Sequence, residues 1–123
     1  MRSIRILFSN QPLAYREAMA AVVQKLRPAA EVTVGDPGNL DAEIARVQPQ
    51  LVICDGLATS VRQQLCAWVV LYPGGQNVAT YSIGGEERQL PGIDLSELLS
   101  VVDAAATYVH SLSGIDPPAA PIA

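Results

Sequence analysis

A single acidic residue, Asp55, stands directly after a short apolar run and directly before a glycine, Gly56. The run, residues 51–54, reads Leu-Val-Ile-Cys and is typical of a buried strand. In open α/β sheets, ligands bind beyond the carboxyl ends of the strands. The pattern therefore predicts that Asp55 and Gly56 lie at the ligand-binding edge of a sheet.

A second group of polar residues, Ser9, Asn10 and Gln11, follows another apolar segment at the start of the chain. If both segments are parallel strands, their carboxyl ends meet at one edge, and the three side chains form a polar rim beside Asp55. Tyr72 is the last residue of a later apolar segment, and its ring could stack on a ligand or a partner. These residues are the candidate ligand-binding set.

The same residues also have structural interpretations, which the sequence leaves open. Asn10 is suited to capping a helix that begins near Pro12. Asp55 can accept backbone N–H groups of the loop that follows it. A tyrosine in a hairpin, such as Tyr72, can be a cross-strand packing residue.

Other chemistry-bearing patterns are missing from the sequence. His110 is the only histidine, no glycine-rich phosphate loop is present, and no Cys/His cluster indicates zinc. Cys54 and Cys66 lack metal or redox spacing, and we predict that both are buried free thiols in a reducing cytoplasm. We therefore expect no catalytic residues, no metal and no cofactor, so the protein is not expected to be an enzyme.

Composition limits the class of protein. With 123 residues and 50% hydrophobic content, the chain is expected to form one globular domain. The net charge of −4 and the absence of a basic cluster argue against nucleic acid as a partner. No apolar stretch approaches the roughly 20 residues that span a bilayer, and no signal peptide is recognisable. We predict a cytoplasmic protein that does not bind membranes.

The first half of the chain alternates predicted strands, at 4–8, 31–34 and 51–54, with two helical segments. This β-α-β-α-β order predicts a parallel sheet with helices packed on it. Apolar residues at helical spacing predict one buried stripe on the first helix. The stripe comprises Tyr15, Met19, Val22, Val23 and Leu26.

The second half departs from this alternation. Residues 68–72 are strand-like, although their spacing also permits a longer helix that begins near Ser60. The turn at 73–76 is too short for a parallel crossover, so 68–90 is expected to form an antiparallel hairpin or meander. A helix at 94–112 closes the domain. We predict one three-layer, doubly wound α/β domain at 1–113.

The end of the chain has a different composition. Residues 114–123 are rich in proline and alanine, and we predict that they form a disordered tail.

The first half resembles the receiver domain of bacterial response regulators, which has a flavodoxin-like fold. The resemblance covers residues 4–55. Three stretches carry it: 4–13 leading into Arg16 and Glu17, the end of a short helix at 46–49, and 50–55. It implies that Asp55 occupies the phosphoacceptor position.

The first departure from the receiver pattern concerns the residues that bind magnesium. Receivers carry an acidic pair after the first strand to hold magnesium, and here those positions are Ser9 and Asn10. Mg²⁺ usually needs one or two carboxylates, so Asp55 alone makes a poor magnesium site.

Other receiver features are also missing. Receivers have a Thr or Ser after the fourth strand, where this chain has Tyr-Pro at 72–73. They have a Lys after the fifth strand, where this chain has Ile-Gly at 83–84, and Lys25 is the only lysine. The hairpin takes the place of the fourth helix. The resemblance therefore implies a degenerate receiver that has lost magnesium-dependent phosphorylation at Asp55.

Two functions follow as expectations. The first is a non-catalytic regulatory or protein-interaction module with an unknown protein partner, and a homodimer is expected. The alternative is a small-molecule-binding domain that uses the crevice near Asp55. Whether Asp55 is ever phosphorylated is left open by the sequence.

Overall fold

The computed structural model describes residues 4–11, 13–56, 59–71 and 78–113. One six-stranded sheet runs through the molecule in the order β2-β1-β3-β4-β5-β6. The strands are β1 (Arg5–Phe8), β2 (Glu31–Val34), β3 (Leu51–Cys54), β4 (Ala67–Val70), β5 (Ala79–Ile83) and β6 (Glu86–Leu90). The helices are α1 (Leu13–Leu26), α2 (Leu40–Val47), the short α3 (Thr59–Arg62) and α4 (Leu95–Ser113). The chain is therefore an α/β protein, as the sequence predicts.

The first four strands are parallel. β1 lies between β2 and β3, with Leu7 opposite Thr33 on one side and Val52 on the other. β3 then pairs in parallel with β4. Parallel strands buried on both faces are rich in apolar residues, and every residue of β3 and β4 is buried. The carboxyl ends of β1, β3 and β4 thus share one edge of the sheet.

The last two strands run antiparallel to their neighbours. β5 pairs with β4 and β6 pairs with β5, in agreement with the predicted meander. The segment predicted as a strand at 68–72 forms β4 at Ala67–Val70, and α3 ends at Arg62, so one long helix does not form there. β-branched and aromatic residues favour a pleated surface, which explains the outcome. The predicted turn at 73–76 lies outside the described residues.

Helices cover both faces of the central strands. On one face, side chains of β1, β3 and β4 form a core with α1 and α4, which includes Phe8, Val23 and Leu98. On the other face, Val52 and Trp68 belong to a second, smaller cluster with α2 packed against it. This arrangement leaves the carboxyl edge of the sheet between the two helical layers.

The predicted stripe on α1 is partly wrong. Its buried residues are Arg16, Ala20 and Val23, whereas Tyr15, Val22 and Leu26 are exposed. α1 carries apolar residues around most of its circumference, so periodicity alone does not select the face that packs. The observed face places the small Ala20 against the sheet.

α4 begins with the predicted capping box. The Glu97 N–H donates to Asp94 Oδ1 at 2.8 Å, and the Asp94 N–H donates to Glu97 Oε1 at 3.2 Å. The helix runs over Leu95–Ser113 rather than 94–112, because Asp94 is its cap. A bidentate ion pair between Arg27 and Asp103, with contacts of 2.7 and 2.8 Å, joins α4 to the end of α1.

The predicted domain at 1–113 and tail at 114–123 stay predictions, since the tail lies outside the described residues. Within the described ranges, no helix combines the length and hydropathy that a bilayer crossing requires. The cytoplasmic location also stays a prediction.

The turn between β5 and β6 offers a matched test of packing. Gly84 and Gly85 have φ values of +64° and +89°, a conformation that favours glycine. A Cβ at Gly84 would lie 2.7 Å from a ring carbon of Tyr108, whereas one at Gly85 would meet no described atom within 4 Å. We expect both alanine variants to lose about 1 to 2 kcal/mol from the left-handed backbone.

Gly84→Ala should lose more than Gly85→Ala because it also displaces Tyr108. Urea unfolding of the two variants measures the difference. Equal losses would show that the turn does not pack on α4 in this way.

Candidate functional site

Two hydrogen bonds hold the loop after β1 against the end of β3. The Ser9 N–H donates to the carbonyl oxygen of Ile53 at 2.8 Å. The Gln11 N–H donates to Asp55 Oδ2 at 2.7 Å. The structure therefore brings the polar residues after β1 together with Asp55, although these groups are more than forty positions apart in the chain.

Asp55 accepts a hydrogen bond from the preceding β1–α1 loop, through its Oδ2 and the Gln11 N–H. Residues 57 and 58 of the loop that follows Asp55 lie outside the described residues, so the predicted contact with that loop stays a prediction. The half-buried carboxylate thus lies just before the start of α1, where a negative charge is favourable. Gly56 is exposed, and a Cβ there would meet no atom of the described residues within 4 Å, so their packing does not require glycine at this position.

Asn10 and Ser9 are fully buried, and this corrects the capping interpretation of Asn10. The Asn10 Nδ2 donates to Met19 Sδ, 3.7 Å away, so its side chain lies along the inner side of α1. The Asn10 Oδ1 and the Ser9 Oγ have no hydrogen-bond partner within the part of the chain that the structure describes. Buried polar atoms are nearly always paired, so these two unpaired oxygens are exceptions to the usual packing of polar groups.

Arg16 is a further functional candidate, which the sequence pattern does not indicate. It lies in α1 and is only 7% exposed, and its Nε and Nη1 are buried with no hydrogen-bond partner among the described residues. Arg16 precedes Met19, the Asn10 contact, by three residues, so both lie on the inner side of the helix. The one feature of the sequence that could have indicated its burial is its helical spacing with Ala20 and Val23, which are also buried.

A buried guanidinium has a defined chemistry. A guanidinium is a planar, delocalised cation, and burying such a charge without a partner is costly. Its planar fork of N–H donors matches carboxylate and phosphate oxygens. The Nε and Nη1 of Arg16, unpaired among the described residues, are therefore donors of the kind that carboxylate and phosphate oxygens accept.

The thiol beside this edge is not reactive. Cys54 is buried, and its Sγ donates to the carbonyl oxygen of Val69, 3.6 Å away. Desolvation by burial raises the pKa of Cys54 to about 12, so the thiolate is scarce at neutral pH. Cys66 is half-buried rather than buried as predicted, and both cysteines are free.

The remaining predicted site residue, Tyr72, lies outside the described residues. Across the described ranges, no three His, Cys, Asp or Glu side chains form a group suited to holding a metal ion. Ligand binding by Ser9, Asn10, Gln11, Asp55 and Gly56 stays a prediction.

Comparisons with known proteins give little further information. No protein-family model and no curated protein matches the chain. Among solved structures, a variant of HypX from Aquifex aeolicus matches 97% of this chain at 16% sequence identity, with a TM-score of 0.45. The chain spans 29% of the HypX chain. A similarity at this level does not identify a shared activity.

Proposed function

We propose that this chain is a non-catalytic regulatory domain that binds a small anionic ligand at the carboxyl edge of its sheet. The observation that carries the proposal is the buried guanidinium of Arg16, whose Nε and Nη1 have no partner in the described ranges. An ionised group in this position lowers stability unless an opposite charge or several acceptors reach it. A bound carboxylate or phosphate supplies both.

The unpaired oxygens of Asn10 and Ser9 narrow the ligand class further if the same ligand reaches them and Arg16. The Asn10 Oδ1 can only accept a hydrogen bond, and the Ser9 hydroxyl can donate or accept. A ligand that satisfies all three residues therefore carries a donor as well as a negative charge. Hydrogen phosphate, small hydroxy acids and amino acids meet this description.

The regulatory part of the proposal rests on the receiver-like layout. The parallel order β2-β1-β3-β4 matches the first four places of the flavodoxin-like order, whereas β5 is antiparallel to β4. In that order ligands are expected near the switch point beside β1 and β3. Asp55 follows β3, but its Oδ2 already accepts from Gln11. We propose that ligand binding replaces phosphorylation as the input to this domain.

A thermal shift assay on the wild-type protein tests the proposal. The probes are inorganic phosphate, sulfate, lactate, malate and glycine, each compared with sodium chloride at the same ionic strength to remove screening effects. A ligand at one hundred times its Kd stabilises the protein by about 2.7 kcal/mol, which raises the Tm by several degrees. Equal Tm values with chloride and with every probe would contradict the proposal.

The alternative input, phosphorylation, has a separate readout. Incubation with Mg²⁺ and acetyl phosphate, followed by intact mass spectrometry, is expected to show no added phosphoryl group. A gain in mass of one phosphoryl group that Asp55→Asn abolishes would show that receiver chemistry survives. It would contradict the proposal that ligand binding replaces phosphorylation.

A further inference from the structure

The outward face of α1 is unusually poor in charge for a surface helix. Nine of its residues are exposed, and only Glu17 and Lys25 among them are charged. Tyr15 and Leu26 are 43% and 44% exposed. A helix that is apolar around most of its circumference is typical of one covered on all sides.

An apolar groove lies beside this face. It has a volume of about 250 Å³ and runs between α1 and the start of α4. Tyr15 and Val22 line it from α1, and Leu95 lines it from α4. All three side chains are exposed. Tyr15 and Val22 lie about 100–120° round the helix from Ala21, so the groove flanks the outward face of α1 that is centred on Ala21.

The charges on α1 indicate what covers it. Glu17 and Lys25 have opposite signs and lie four residues on either side of Ala21. Eight residues correspond to about two helical turns plus about 80° of rotation, so the two side chains lie about 40° to either side of Ala21. Both are exposed and therefore lie on the outward side of α1. We propose that a second copy of this chain packs here, with the two α1 helices antiparallel about a twofold axis near Ala21.

In that arrangement each Glu17 faces Lys25 of the second copy, and the contact occurs twice. A twofold interface must be self-complementary, and this pair of charges meets that requirement. A parallel pairing would place like charges opposite each other. The exposed Ala14, Ala18 and Ala21 allow close approach of the helices, at an interaxial distance near the lower end of about 8–10 Å. The apolar groove of each copy then lies at the flank of the contact.

Charge reversal gives a specific test, read by multi-angle light scattering after size exclusion. Wild type is expected to be a dimer. Glu17→Lys and Lys25→Glu should each be monomeric, because each places like charges across the twofold axis. Mixing the two variants should restore a dimer, because every contact between positions 17 and 25 then joins a lysine to a glutamate. Circular dichroism confirms that each variant is folded.

The mixing step separates this proposal from general effects of surface charge. Residues eight apart do not contact each other within one helix, so recovery on mixing requires contact between copies. A monomeric wild type at high concentration would overturn the proposal. Dimers that persist in both single variants, or variants that stay monomeric when mixed, would also overturn it. The outcome is independent of anion binding at Arg16.

Discussion

Arg16→Met is expected to raise the stability of the ligand-free protein and to abolish its response to anions. Methionine keeps most of the volume and the apolar stem of the side chain but removes a buried charge whose Nε and Nη1 have no partner among the residues described. Replacement of buried charged groups by apolar residues of similar size commonly gives about 1–4 kcal/mol of stability. Urea unfolding measures the gain, and the anion thermal shift measures the loss of binding.

Arg16→Lys is the matched control. Lysine keeps a positive charge but loses the planar fork of donors, so binding of the anion should weaken without the gain in stability. If Arg16→Met were less stable than wild type in the absence of anions, the guanidinium would be serving the fold rather than a ligand.

The second large effect is expected for Leu98→Ala, which should cost about 2–5 kcal/mol. Leu98 is 1% exposed and lies in the core that α4 forms with α1 and the central strands. Truncation leaves a cavity that the rigid sheet cannot close. Since small domains have total stabilities of about 5–15 kcal/mol, the loss is a large fraction of the total.

Leu112→Ala is the control on the same helix. Leu112 is 49% exposed, so the same truncation removes little buried surface and should change stability by less than about 0.5 kcal/mol. Urea unfolding gives both values. Similar losses for the two variants would show that α4 does not pack on the sheet through Leu98.

Local patterns in the sequence were sufficient to predict most of the strands and helices. The strand ending at Asp55, the meander and the Asp94–Glu97 capping box each depend on neighbouring residues, and each is present. The edge shared by Ser9 and Asp55 follows from the parallel order of β1 and β3. These features could be predicted because periodicity and turn chemistry act over short distances.

The packing of α1 could not be predicted in the same way. Apolar residues lie around most of this helix, so the choice between the Tyr15 side and the Ala20 side depends on the shape of the sheet. Arg16 and Asn10 become buried only as a result of that choice. The burial of a polar side chain is a tertiary property, and the sequence around Arg16 carries no local sign of it except helical spacing.

The most direct test of the central claim is NMR observation of the Arg16 side chain during titration with inorganic phosphate. In ¹⁵N-labelled protein, the Nε–H signal is assigned by its loss in Arg16→Met, and sodium chloride at the same ionic strength is the reference. Binding predicts a saturable shift of this signal and slower exchange of its proton with water. A signal that responds to phosphate no more than to chloride, with the other titrated anions giving the same result, would contradict the account.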